Sequence, residues 1–102
     1  MPLKKRYLKS KPICKVTFEM PKQAVRSAGS VHLVGDFNEW DTARTPLERR
    51  KSGSYNVTVD LEAGRHYQFR YLIDGTSWEN DWAADRYVPT DLLGVENSVV
   101  EV

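Results

Sequence analysis

The stretch His66-Tyr67-Gln68-Phe69-Arg70-Tyr71-Leu72-Ile73-Asp74-Gly75 decides the fold class. Successive side chains of a strand point to opposite faces. Tyr67, Phe69, Tyr71 and Ile73 therefore share one side, and Gln68, Arg70 and Leu72 the other. An aromatic, β-branched face backed by a more polar one reads as a strand half-buried on a core. Asp74-Gly75 predicts a two-residue hairpin turn, since glycine tolerates the positive φ that such turns demand.

The same period of two recurs outward from this stretch. Cys14, Val16, Phe18 and Met20 alternate with Lys15, Thr17 and Glu19, and Pro21 ends that run because proline removes a ladder donor. Val31 and Leu33 alternate with His32 and Val34 within a strand over 30–35. Tyr55, Val57, Val59 and Leu61 alternate with Asn56, Thr58 and Asp60, and Ser98–Val102 reads as the last strand. The turn signal Lys51-Ser52-Gly53-Ser54 predicts a short strand over 46–50, and Lys22–Arg26 is long enough for one helical turn. Six or seven short strands with no helical periodicity predict an all-β sandwich of two antiparallel sheets.

At 102 residues the chain fits one domain. No apolar run approaches the roughly 20 residues of a membrane span, and the N-terminus lacks the apolar core of a signal peptide. The single cysteine, Cys14, excludes an internal disulfide, so a reducing, cytoplasmic setting is expected. Residues 1–12 form a basic arm with Lys4, Lys5, Arg6, Lys9 and Lys11 and no acid. Fifteen basic residues less these five leaves ten against fourteen acids, so the body carries −4. With an acidic body behind it, the arm reads as a solvated tail rather than a nucleic-acid or membrane contact.

Catalytic constellations are missing from the sequence. His32 and His66 have no Cys or His at metal-ligand spacing, and Cys14 shares a face with Val16 and Phe18, as a buried small hydrophobe does. Glycine-rich phosphate loops, Gly-x-Ser-x-Gly and His-Glu-x-x-His are absent. Asp36, Asp41, Asp74, Glu79, Asp81 and Asp85 cluster at turns, where solvated carboxylates are expected, and a small sandwich offers little room for the cleft a glycosidase pair needs. No enzyme, metal or cofactor is expected. Trp40, Trp78 and Trp82 are more informative. They fall outside the regular strands among polar neighbours, and an exposed indole buries much area when a flat partner arrives. Sugar rings, nucleobases and proteins are such partners.

Three motifs in order carry a family resemblance. Val31-His32-Leu33-Val34-Gly35-Asp36-Phe37-Asn38-Glu39-Trp40 resembles the opening of the family 48 carbohydrate-binding modules. Tyr67 to Gly75, followed by Trp78 and Asp81, resembles their central hairpin, and Gly94-Val95-Glu96-Asn97-Ser98-Val99-Val100 their last loop and strand. The resemblance covers residues 13–102 and extends to the glycogen-binding domain of AMP-activated protein kinase β subunits. It implies an early-set, immunoglobulin-like fold and non-catalytic binding of α-glucan such as glycogen, starch or maltooligosaccharides. It further implies that Trp40 and Trp78 stack on glucose rings, that Arg70 and Asn97 bond sugar hydroxyls, and that Leu93 contacts the ligand from the last loop. A glycogen- or starch-metabolising enzyme is the implied protein partner. The rival reading is a protein-interaction or regulatory scaffold domain associated with such an enzyme. Three departures stand out: Arg70 replaces the lysine usual in kinase subunits, Val95 replaces a threonine, and Asp81-Trp82 replaces an Asp-Pro step. Trp82 reads either as a core plug or as an additional sugar contact.

Overall fold

In the computed structural model, which describes residues 3–90 and 94–102, the strands are β1 (Lys4–Tyr7), β2 (Ile13–Met20), β3 (Val31–Gly35), β4 (Glu48–Arg49), β5 (Tyr55–Glu62), β6 (His66–Ile73), β7 (Ser77–Glu79), β8 (Arg86–Pro89) and β9 (Glu96–Glu101). One sheet has the order β1-β2-β5-β4 and the other β3-β6-β9-β8, with all pairs antiparallel. β7 pairs with β6 at Tyr71–Ile73, beyond the stretch His66–Phe69 that pairs with β9. The protein is an immunoglobulin-like β-sandwich. Lys22–Ala24 is a single turn of 3₁₀ helix, and no described helix is long and apolar enough to cross a membrane.

Alternation builds the core. Cys14, Val16, Phe18 and Met20 of β2 are fully buried against Phe69 and Tyr71 of β6 and Leu33 of β3. The sheets meet ring to ring: Phe18 and Phe69 lie edge to face with centroids 5.0 Å apart, and Phe69 stands likewise on Tyr71 at 5.7 Å. Such pairs add about 0.5–1.5 kcal/mol beyond area burial.

The structure departs from the sequence expectation in four places, of which Asp81 is the last. Within the basic arm, Lys4–Tyr7 is an edge strand paired to β2, and Lys5, opposite Val16, reaches Asp85 in the bend just before β8 at 2.7 Å. An edge strand satisfies its ladder on one side only and needs no apolar alternation, so its sequence resembles a solvated tail. The Asp74-Gly75 loop holds three residues rather than two, because Ile73 pairs with Ser77. Its centre is nonetheless a tight turn: Asp74 and Gly75 both have positive φ, and the Thr76 amide donates to the Ile73 carbonyl. β7 and β8, each of three or four residues, were not expected as strands.

Asp81, expected as a solvated turn carboxylate, is instead buried, because its carboxylate is taken up by internal donors, and it anchors the crossing from β7 to β8. Its buried carboxylate accepts from the Tyr71 hydroxyl at 2.7 Å and from the Ala83 amide, while its own amide donates to Ser98 Oγ. Burial pushes the Asp81 carboxyl above its ordinary range despite the Tyr71 hydrogen bond, and burial together with the neighbouring carboxylate holds the Tyr71 phenol well above its own. The folded state therefore binds the Asp81 proton more tightly than the unfolded chain does. The stabilising contribution of this group is complete at low pH and declines as pH rises from the ordinary carboxylate range through the raised value. Urea titrations across that window are expected to show the stability of the wild type falling relative to Asp81→Asn. A relative rise would mean that the native environment favours the carboxylate.

Candidate functional site

β6 presents Gln68, Arg70 and Leu72 to the outer face of its sheet. Register brings Val34 beside Arg70, Trp78 beside Leu72 and Val99 beside Gln68. Val34, Leu72 and Val99 are buried although they face away from the inter-sheet core. This face is thus roofed by its own long side chains and adjoining loops.

Trp40 reaches the face through a locked turn. After β3 the chain turns in a short 3₁₀ segment, Asp36–Asn38, and Glu39 and Trp40 then take φ values of 59° and 56°. Left-handed backbone costs an ordinary residue about 1–2 kcal/mol, so the turn must be held. Buried Asn38 holds it: its Oδ1 accepts from the Gly35 amide at 3.0 Å, and its Nδ2 donates to the Leu33 carbonyl at 2.8 Å and to Thr45 Oγ1. Asp36 fixes the indole. Its Oδ1 accepts from Trp40 Nε1 at 2.8 Å and its Oδ2 from the Gln68 amide of β6, also at 2.8 Å. Gly35 is required for closeness rather than for φ. A Cβ there would lie 2.6 Å from the Gln68 carbonyl oxygen and 2.7 Å from Phe69 Cβ.

Trp78, on β7, arrives from the other side through the Asp74-Gly75 turn. Asp74 Oδ1 accepts from the Gly29 and Ser30 amides, which ties this hairpin to the loop before β3. Between the two indoles lies Arg70, its Cζ 5.9 Å from the Trp40 ring centroid and 5.0 Å from that of Trp78. Both separations are within cation–π range, and together they keep the two ring centroids no more than about 11 Å apart. Trp40 is half-buried, whereas Trp78 is 45% exposed.

Beside Trp78 and Arg70 opens a cleft of about 440 Å³, completed by Glu79, Asn80 and Gly94–Glu96. Asn80 ties its walls together, donating to the Glu96 carbonyl and accepting from Ser98 Oγ. Asn97 donates to Gln68 Oε1 at 2.9 Å. Two buried side-chain polar atoms have no hydrogen-bond partner among the described residues: Arg70 Nε and Asn97 Oδ1. Buried polar atoms are seldom left so.

Of the five residues singled out from the sequence, Trp40, Arg70 and Trp78 converge directly, and Asn97 joins them through Gln68. Leu93 lies outside the described residues, although Gly94 and Val95 beside it line the cleft. Trp82 is 56% exposed, which excludes a core plug, and no ring contact or Arg70 contact joins it to the platform among the described residues. Asp36, Asn38 and Gln68 were not singled out as site residues. A carboxylate four residues before a tryptophan hints at the first bond, but the contact to Gln68 spans 32 residues and leaves no local signal. Among the described residues no group of three or more His, Cys, Asp or Glu side chains could hold a metal ion.

The chain belongs to the family described as the glycogen recognition site of AMP-activated protein kinase, which it matches over residues 23–102. It is also similar to 1,4-alpha-glucan branching enzymes GlgB. The enzyme of Aquifex aeolicus (strain VF5) is 40% identical over 55 residues, which are 53% of this chain and 9% of that enzyme. That of Mesorhizobium japonicum is 42% identical over 48 residues (45% and 6%), and that of Photobacterium profundum 39% over 44 residues (42% and 6%). The chain spans less than a tenth of the length of these relatives.

Two substitutions check the turn. Gly35→Ala is expected to cost about 1–3 kcal/mol through overpacking against β6, read as a lowered thermal midpoint; an unchanged midpoint would show that β3 and β6 can part cheaply. Asp36→Ala is expected to leave the domain folded but to shift the Trp40 indole N–H resonance and speed its exchange with solvent. An unaltered indole resonance would show that the carboxylate does not hold the ring.

Proposed function

We propose that this domain is a non-catalytic α-glucan-binding module whose ligand lies on the outer face of the β3-β6-β9-β8 sheet. Glucan binding in general follows from membership of the glycogen-recognition family. The finer reading rests on one observation: a single arginine holds two indoles of the same face within cation–π distance. Trp40 and Trp78 stack on glucose rings, the bond from Asp36 presetting the first of them. The apolar faces of a pyranose leave its hydroxyls at the rim, where Arg70 and Asn97 bond them. Because the platform is preformed, little conformational entropy is lost on binding.

The module extends over residues 13–102, with β1 added as an edge. It holds the polymer while a glucan-active enzyme, on the same assembly or the same polymer, does the chemistry. The branching-enzyme relatives support this reading.

Calorimetry with maltoheptaose tests the site. Stacking of a nucleobase on an aromatic is worth about 1–3 kcal/mol, and by that analogy Trp40→Ala and Trp78→Ala should each weaken binding about fivefold or more. Trp82→Ala should stay within about twofold of the wild type. If both platform variants bind as the wild type does, the ligand lies elsewhere.

A further inference from the structure

A second cleft, of about 420 Å³, opens between the loop after β2 and the turn between β4 and β5. It shares no lining residue with the cleft beside Trp78. Lys22, Arg26 and Arg49 line it together with Ser27, and no lining residue is acidic. Among the described residues none of the three cations makes an ion pair, as is also true of Lys4, Arg6, Lys9, Lys11, Arg50, Lys51 and Arg70. Three like charges line one cleft on exposed side chains, so their mutual repulsion is screened, and an anion there relieves what remains.

The walls are fixed in advance. The Ala24, Val25 and Ala28 amides donate to Pro21, Lys22 and Val25 carbonyls, and the Tyr55 hydroxyl donates to the Ala28 carbonyl at 3.0 Å. On the other wall the Arg50 amide donates to the Ser54 carbonyl across the turn, and the Gly53 amide donates to the Arg50 carbonyl. The stem of Lys22 lies along Gly53, where Lys22 Cγ and Cδ would each be 3.1 Å from an added Cβ. Gly53 at φ 93° thus supplies both the turn and the bed for the lysine.

We propose that this cleft is an anion site for a phosphoryl group, free or carried on a sugar. Two guanidinium forks, one ammonium and a hydroxyl match the several terminal oxygens and double charge of a phosphoryl group better than a carboxylate. The cleft is more than ten times the share of liquid volume that one water takes, about 30 Å³, so it has room for a sugar bearing the phosphate. The site is independent of the glucan platform.

Amide resonances of the intact chain, titrated with inorganic phosphate and separately with glucose 6-phosphate, test the proposal. Saturable shifts are expected in residues 22–28 and 49–53. The Arg26→Gln/Arg49→Gln variant should weaken them at least tenfold, while Lys4→Gln/Arg6→Gln leaves them within twofold. Both pairs are exposed, so folding should survive, and maltoheptaose affinity of the first variant should be unchanged. Tighter binding of glucose 6-phosphate assigns a sugar ester, and equal affinities assign the free anion; either supports a phosphoryl site. Non-saturating shifts, or shifts indifferent to Arg26 and Arg49, would overturn it whether or not maltoheptaose binds.

Discussion

Phe69 and Arg70 are neighbours in the chain, and the pleat of β6 sends them to opposite sides of one sheet. Phe69 stands edge-on to Phe18 of the facing sheet and to Tyr71 of its own strand. Arg70 reaches between two tryptophans. Core and platform are thus two readouts of one register. A slip of a single residue would send the guanidinium into the aromatic core and a phenyl ring to the platform. β3 on one side, with β9 and β7 sharing the other, fix that register along the strand.

The platform is costly locally and is supported from beneath. Glu39 and Trp40 hold left-handed backbone that neither residue favours, and the polar bonds of Asn38 and Asp36 offset it. The tryptophan is therefore aimed by a buried amide and a carboxylate rather than by its own rotamer preference. Such preorganisation is what a binding site needs from the shell that supports it.

Much of this was legible in the sequence, and what was not has physical causes. β2, β5 and β6 announce themselves because each buries one face, which imposes strict alternation. β1, β7 and β8 do not, since short strands at edges owe their pairing to backbone bonds that any side chain permits. Trp40, Arg70, Trp78 and Asn97 could be named from ordered motifs, but the carboxylate that binds both Trp40 and β6 could not, because its second partner is distant in the chain. Asp74 shows the same limit: the sequence marks a turn, and only the fold reveals that its side chain clasps the Gly29 and Ser30 amides.

The basic residues near the start of the chain acquire a different meaning from their place in the sheet. Lys4, Lys5 and Arg6 lie along the open border of β1, with Lys5 paired to Asp85 in the bend just before β8. An open border of strand backbone is an invitation to pair with another molecule, and a row of cations withdraws it, since two such borders would repel on approach. A polymer that seats many copies side by side raises their local concentration far above that in free solution. Crowded along one chain of sugars, these domains would remain separate beads rather than fuse into a continuous sheet.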